Sequence, residues 1–130
     1  FQAVDDLALA LAAMTGMAGD LVFDEAAMRA AAERGYSTAT DLADYFVMAL
    51  GMPFRDAHHA TGRIVALAEK KGARLDELSL AEFRAVEPRT GADVFARLTV
   101  DASVAARASY GGTAPQNVRA QIARWKETLK

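Results

Sequence analysis

The sequence is most informative first in what it lacks. It has no cysteine, which excludes disulfides, thiolate nucleophiles and cysteine metal sites. There are only three prolines, so long helices can run uninterrupted. The longest apolar run starts at Leu7 and ends at Gly16, short of the roughly 20 residues that span a bilayer. No excess of positive charge is present: the formal net charge is -2, which offers nothing to nucleic acid or an anionic membrane. No segment combines β-branched richness with polar alternation, so strands are not expected. Low-complexity tracts and internal repeats are also missing. No basic leader opens the chain either, because Asp5 and Asp6 stand where a signal peptide would be positive. With Phe1 in place of Met, the start reads as an internal position of a longer polypeptide.

What remains is a globular composition of 130 residues, 52% hydrophobic and 25% charged, sufficient for one core without staples. The expected class is all-α: a small helical domain built on an amphipathic helical hairpin, preceded by the tail of a long bundle helix. The boundary is set between residues 1–21 and 22–130.

The hairpin is the organising stretch. Thr38 with Asp41 three residues on predicts a capping box, and Leu42, Tyr45, Phe46, Ala49 and Leu50 recur at helical spacing. Gly51 suits a left-handed C-terminal position, and Pro53 the first turn of the next helix. Phe54, Ala57, Thr61, Ile64, Val65 and Ala68 then form the second apolar face.

Before the hairpin, residues 3–21 read as helix despite the period-two pattern of Leu7-Ala8-Leu9-Ala10-Leu11-Ala12, since alanine favours helix over strand. Leu7, Leu9, Leu11, Met14 and Met17 are too many apolar positions for one small domain to cover. This predicts a helix in a bundle shared between subunits, in preference to a central helix wrapped by its own domain. Asp24 is placed to cap a short helix over 25–34, ended by Gly35.

After the hairpin, Ser79 with Glu82 predicts a second capping box, with Leu78 and Phe83 as its hydrophobic staple and Pro88 as the stop. Short helices are expected over 93–98 and 102–108, the latter capped by Asp101. Thr113 with Gln116 predicts a third capping box, with Pro115 in the first turn. Val118, Ile122, Trp125 and Leu129 then face inward, and Arg119, Arg124 and Lys126 outward.

Candidates for chemistry are few. His58 and His59 are adjacent, so on a helix they point about 100° apart, whereas paired metal ligands need spacings of three or four. His58 lies near the apolar face and reads as a core histidine. Asp41 and Asp44 could pair as carboxylates, but capping accounts for Asp41 and solvent for Asp44. Gly111-Gly112-Thr113-Ala114-Pro115 could cradle an anion, yet it lacks the lysine and the preceding strand of a phosphate loop. The serines at 37, 79, 103 and 109 have no catalytic setting. A helix-turn-helix reading fails on charge, since Arg55 and Arg63 are offset by Asp56 and Glu69. The expectation is therefore that no residue here is catalytic, cofactor-binding or metal-ligating, and that no cofactor, nucleic acid or membrane is bound. The alternative function at this level is a stand-alone helical interaction module without activity.

Ordered motifs add a family. Thr38-Ala39-Thr40-Asp41-Leu42-Ala43-Asp44-Tyr45, then Gly51-Met52-Pro53-Phe54-Arg55-Asp56-Ala57-His58, resemble the C-terminal segment of argininosuccinate lyase. Ser79-Leu80-Ala81-Glu82-Phe83 followed by Pro88, and Ser103-Val104 followed by Gly111-Gly112-Thr113-Ala114-Pro115, continue the resemblance. The early run ending Met14-Thr15-Gly16 resembles the close of that family's central helical domain. The resemblance implies a member of the aspartase/fumarase superfamily of homotetrameric lyases, assembled through the central domain. It implies cytoplasmic arginine biosynthesis and reversible β-elimination of argininosuccinate to arginine and fumarate, with no metal or organic cofactor. The family's base is a serine in a Gly-Ser-Ser loop leading to Met-Pro-x-Lys. This sequence has no Ser-Ser pair, Met52-Pro53 is followed by Phe54-Arg55, and the family's partner histidine does not map onto His58 or His59. The segment is thus expected to support the site and to be inactive alone.

Overall fold

A computed structural model describes residues 1–130. The chain is all-helical, with seven α-helices, two 3₁₀ turns and no strand. It divides into two compact units, Phe1–Ala31 and Ala32–Lys130.

The first unit carries α1 (Gln2–Gly19) and most of α2 (Glu25–Ala32). Asp24 starts α2 as expected, its Oδ1 accepting from the Ala27 amide at 2.9 Å. No residue of α1 is buried, and Leu7, Leu9, Leu11, Met14 and Met17 all stand exposed. No helix of the chain is long and apolar enough to cross a membrane.

The second unit is built on the hairpin of α3 (Ala39–Leu50) and α4 (Phe54–Lys71). Gly51 takes φ 64°, the left-handed conformation that ends α3 without a Cβ penalty. The Arg89 guanidinium donates to the Leu50 carbonyl at 3.1 Å, satisfying one of the last acceptors of that helix. Gly72 ends α4 at the same φ, with its amide bonded to the Glu69 carbonyl and the Ala73 amide to that of Ala68. Pro53 lies one position earlier than its sequence reading placed it. It is the N-cap in extended geometry, and its carbonyl accepts from the Asp56 and Ala57 amides.

Leu42, Tyr45 and Phe46 of α3 meet Ala57, Ala60, Ile64 and Ala68 of α4, and the alanines allow the helix axes to approach closely. The core is closed by Leu75 in the first 3₁₀ turn (Leu75–Glu77), Leu78, Phe83 of α5 (Leu80–Val86), and Val94 of the second 3₁₀ turn (Ala92–Arg97). Phe83 meets Phe95 edge-on, with ring centroids 5.6 Å apart. The Ser79–Glu82 capping box is present, with the Ser79 amide donating to Glu82 at 2.8 Å, and both staple residues are buried. Two further helices complete the unit, α6 (Val100–Ala106) and α7 (Pro115–Thr128).

Several expectations need correction. Thr38 makes no side-chain cap: its backbone, at φ -87° and ψ 5°, is not in the extended conformation that aims a capping hydroxyl at the helix. Helix α6 is capped by Thr99, whose hydroxyl accepts from the Ala102 amide at 3.1 Å, and not by Asp101. The Thr113–Gln116 box does not form either. Ala114 is the fully buried N-cap of α7, and Pro115 follows it at the first helical position. Phe54 is 64% exposed, because the first turn of α4 has no element packed over it. Ala49, in the last turn of α3, is exposed, and so is His58, which lies outside the buried Ala57, Ala60, Thr61 and Ile64 stripe of α4. Finally, Val118, Ile122, Trp125 and Leu129 form a stripe on α7 as predicted, but it does not face the core. Trp125 is 51% exposed, and the stripe lines an open apolar groove of about 850 Å³ with Tyr110.

Candidate functional site

The two histidines of α4 project from an exposed surface. His58 leans on Phe54 with centroids 6.3 Å apart, and the rings of His58 and His59 stand nearly perpendicular. No group of three or more histidine and carboxylate side chains converges anywhere in the chain. The glycine loop is likewise unsuited to an anion. Gly111 has φ 79°, and the nearby amides of Gly112 and Ala114 are already bonded to the carbonyls of Ser109 and Arg107.

Polar groups do converge where α3 faces α6 and the second 3₁₀ turn, around a cleft of about 130 Å³. Its floor is Asp41, 8% exposed, which the sequence reading had spent on a helix cap. Arg107, the residue following α6, donates from Nη2 to Asp41 Oδ1 at 2.8 Å and lies 3.9 Å from Asp44 Oδ2 through Nη1. The second carboxylate oxygen, Asp41 Oδ2, is buried and has no hydrogen-bond partner. Arg97 lines the same cleft, and Met48, Ala102 and Ala106 supply apolar wall. Asp41 and Asp44 thus share one cleft, bridged by a guanidinium.

Beside the cleft, the Tyr45 hydroxyl donates to Asp93 Oδ1 at 2.9 Å and accepts from the Gly91 amide at 3.2 Å. Burial, opposed by the Gly91 bond and aided by the Asp93 carboxylate, holds its phenol above the ordinary tyrosine range. Gly91 leaves little room there, since a Cβ would run into the Asp93 carboxylate. Arg107 also has a second attachment. Its carbonyl accepts from the Ala114 amide at 3.1 Å, and a Cβ on Gly112 would collide with that carbonyl.

Arg97 and Arg107 were not singled out from sequence. Arg97 ends the second 3₁₀ turn and Arg107 follows α6, neither is in a motif, and nothing local ties either to α3.

A family model described as argininosuccinate lyase C-terminal matches residues 36–105, which include the hairpin, the core elements and most of α6. The chain belongs to the argininosuccinate lyase C-terminal family. It also resembles a solved structure, an EDDS lyase variant with bound fumarate, at 30% identity and a TM-score of 0.69. That match covers 78% of this chain and 22% of the other, so the chain spans under a quarter of the length of that relative. Together the two matches place the chain in the aspartase/fumarase superfamily of lyases.

Proposed function

We propose that this chain is the C-terminal part of an argininosuccinate lyase, which cleaves argininosuccinate reversibly to arginine and fumarate. The observation that carries the reading is the family match over residues 36–105. In such an elimination a base removes the proton beside a succinyl carboxylate, and an acid protonates the departing guanidinium nitrogen. Preorganised donors stabilise the doubly charged intermediate that exists between these two steps. The sequence has no Ser-Ser pair and no Met-Pro followed two residues on by Lys, which supports a reading in which the catalytic residues belong to other parts of the polypeptide. In this reading residues 1–21 are the end of a central-domain helix, and residues 22–130 form the domain that supports and helps close the site. The exposed apolar positions of α1 support burial among further helices of a homotetramer. The setting is cytoplasmic arginine biosynthesis.

The test is fumarate formation, followed by ultraviolet absorbance, with the complete polypeptide given argininosuccinate. Turnover is expected there and none from the 130-residue chain alone. Turnover by the chain alone would overturn the supporting role. Fumarate release from EDDS, with argininosuccinate untouched, would overturn the substrate assignment while keeping the lyase.

A further inference from the structure

The cleft between α3 and α6 has a polar inventory that its own residues do not use up. Asp41 is more than nine-tenths buried, yet Arg107 pairs only one of its oxygens, and Oδ2 has no donor. A buried carboxylate oxygen without a partner is costly, and a ligand that donates to it recovers that cost. On the other wall, Arg97 makes no hydrogen bond or ion pair within the chain and offers a planar set of donors. One cleft thus presents an unpaired acceptor and an unpaired cation.

We propose that this cleft binds a small zwitterion, an α-amino acid, with its ammonium donating to Asp41 Oδ2 and its carboxylate on the Arg97 guanidinium. Charge supports a dipolar ligand over a simple ion. Asp41 and Asp44 balance Arg97 and Arg107, so the site is neutral overall and neither a lone cation nor a lone anion gains from a net field. Size supports a small one: about 130 Å³ accommodates the amino-acid backbone and little more, with Met48, Ala102 and Ala106 against the Cα and the side chain directed outward. Arg107 provides access. Its side chain is 43% exposed and already within 3.9 Å of Asp44, so it can turn toward Asp44 and stay paired while a ligand ammonium takes its place on the Asp41 carboxylate. The proposal does not depend on which reaction the whole polypeptide performs.

The experiment titrates glycine, then L-alanine, into the complete polypeptide by calorimetry, with methylammonium and acetate as half-ligands. Glycine is expected to bind, each half-ligand at least about tenfold more weakly, and Arg97→Gln to weaken glycine about tenfold with an unchanged circular dichroism spectrum. Since Arg97 is exposed, its variant tests the site without disturbing the core, and Asp41→Asn serves as the second arm. The proposal is overturned if glycine does not bind, if Arg97→Gln binds it as the parent does, or if methylammonium alone matches glycine. Binding at a catalytic site elsewhere would survive Arg97→Gln, which separates the two.

Discussion

Tyr45 and Asp93, 48 positions apart in sequence, are joined by a 2.9 Å hydrogen bond that fastens the central hairpin to the second 3₁₀ turn. The same hydroxyl accepts from the Gly91 amide, so one buried side chain fixes two points of that turn. Tyr45→Phe is expected to lower stability by about 1–2 kcal/mol, since each lost bond is worth roughly 0.5–1.5 kcal/mol. Gly91→Ala should reproduce part of that loss by pushing the Asp93 carboxylate away. Urea melts of both variants check this, and an unchanged midpoint for Tyr45→Phe would show that the bond contributes nothing.

Phe46 and Ile64 are fully buried across the hairpin interface. Truncating either to alanine should cost about 2–5 kcal/mol, because lost transfer energy and a residual cavity add. Phe54→Ala, on the exposed first turn of α4, should stay within about 0.5 kcal/mol. Comparable losses at Phe46 and Phe54 would contradict the packing described.

Glu82 should give the domain an acid-sensitive component. The Lys71 ammonium, then the amide and hydroxyl of Ser79, hold its carboxyl down at about 2, against an ordinary 4.5. A depressed folded-state value means that the charged form is favoured by folding. The contribution is therefore complete above about pH 4.5 and is lost as pH falls toward 2. Glu82→Gln should flatten the pH dependence of the melting temperature across that window and leave the slope above it unaltered. An identical acid profile in parent and variant would count against it.

The apolar faces of α1 and α7 predict how the 130-residue chain behaves when expressed alone. With Leu7, Leu9, Leu11, Ile122 and Trp125 uncovered, it should self-associate in sedimentation and bind an apolar dye. Charges introduced at Leu9 and Ile122 should reduce both effects. A clean monomer that leaves the dye dark would mean these faces close by another route.

Legibility from sequence followed distance along the chain. The Ser79–Glu82 box, the left-handed turn at Gly51, and the buried positions Leu42, Tyr45, Phe46, Ala57 and Ile64 of the hairpin all depend on neighbours within a few residues, and they were read correctly, whereas Ala49 and Phe54 at the hairpin's turn were not. The cap of α6 was assigned to Asp101 two residues too late, and the structure gives that role to Thr99. Asp41 was misassigned because its real partner, Arg107, lies 66 positions away and its capping-box spacing offered a nearer explanation. The cleft was invisible for the same reason: three helical segments bring its groups together, and none carries a motif for the others. Periodicity also identified the stripe on α7 while remaining silent about what covers it.

Arg107 is held at both ends. Its carbonyl accepts from the Ala114 amide at the start of α7, in a space kept open because Gly112 has no Cβ, while its guanidinium pairs with Asp41 on α3. A single residue is therefore the axle between the terminal helix and the buried carboxylate. The start of α7 and the buried carboxylate of α3 are thereby tied through one side chain and its own backbone, with no helix-to-helix packing needed between them.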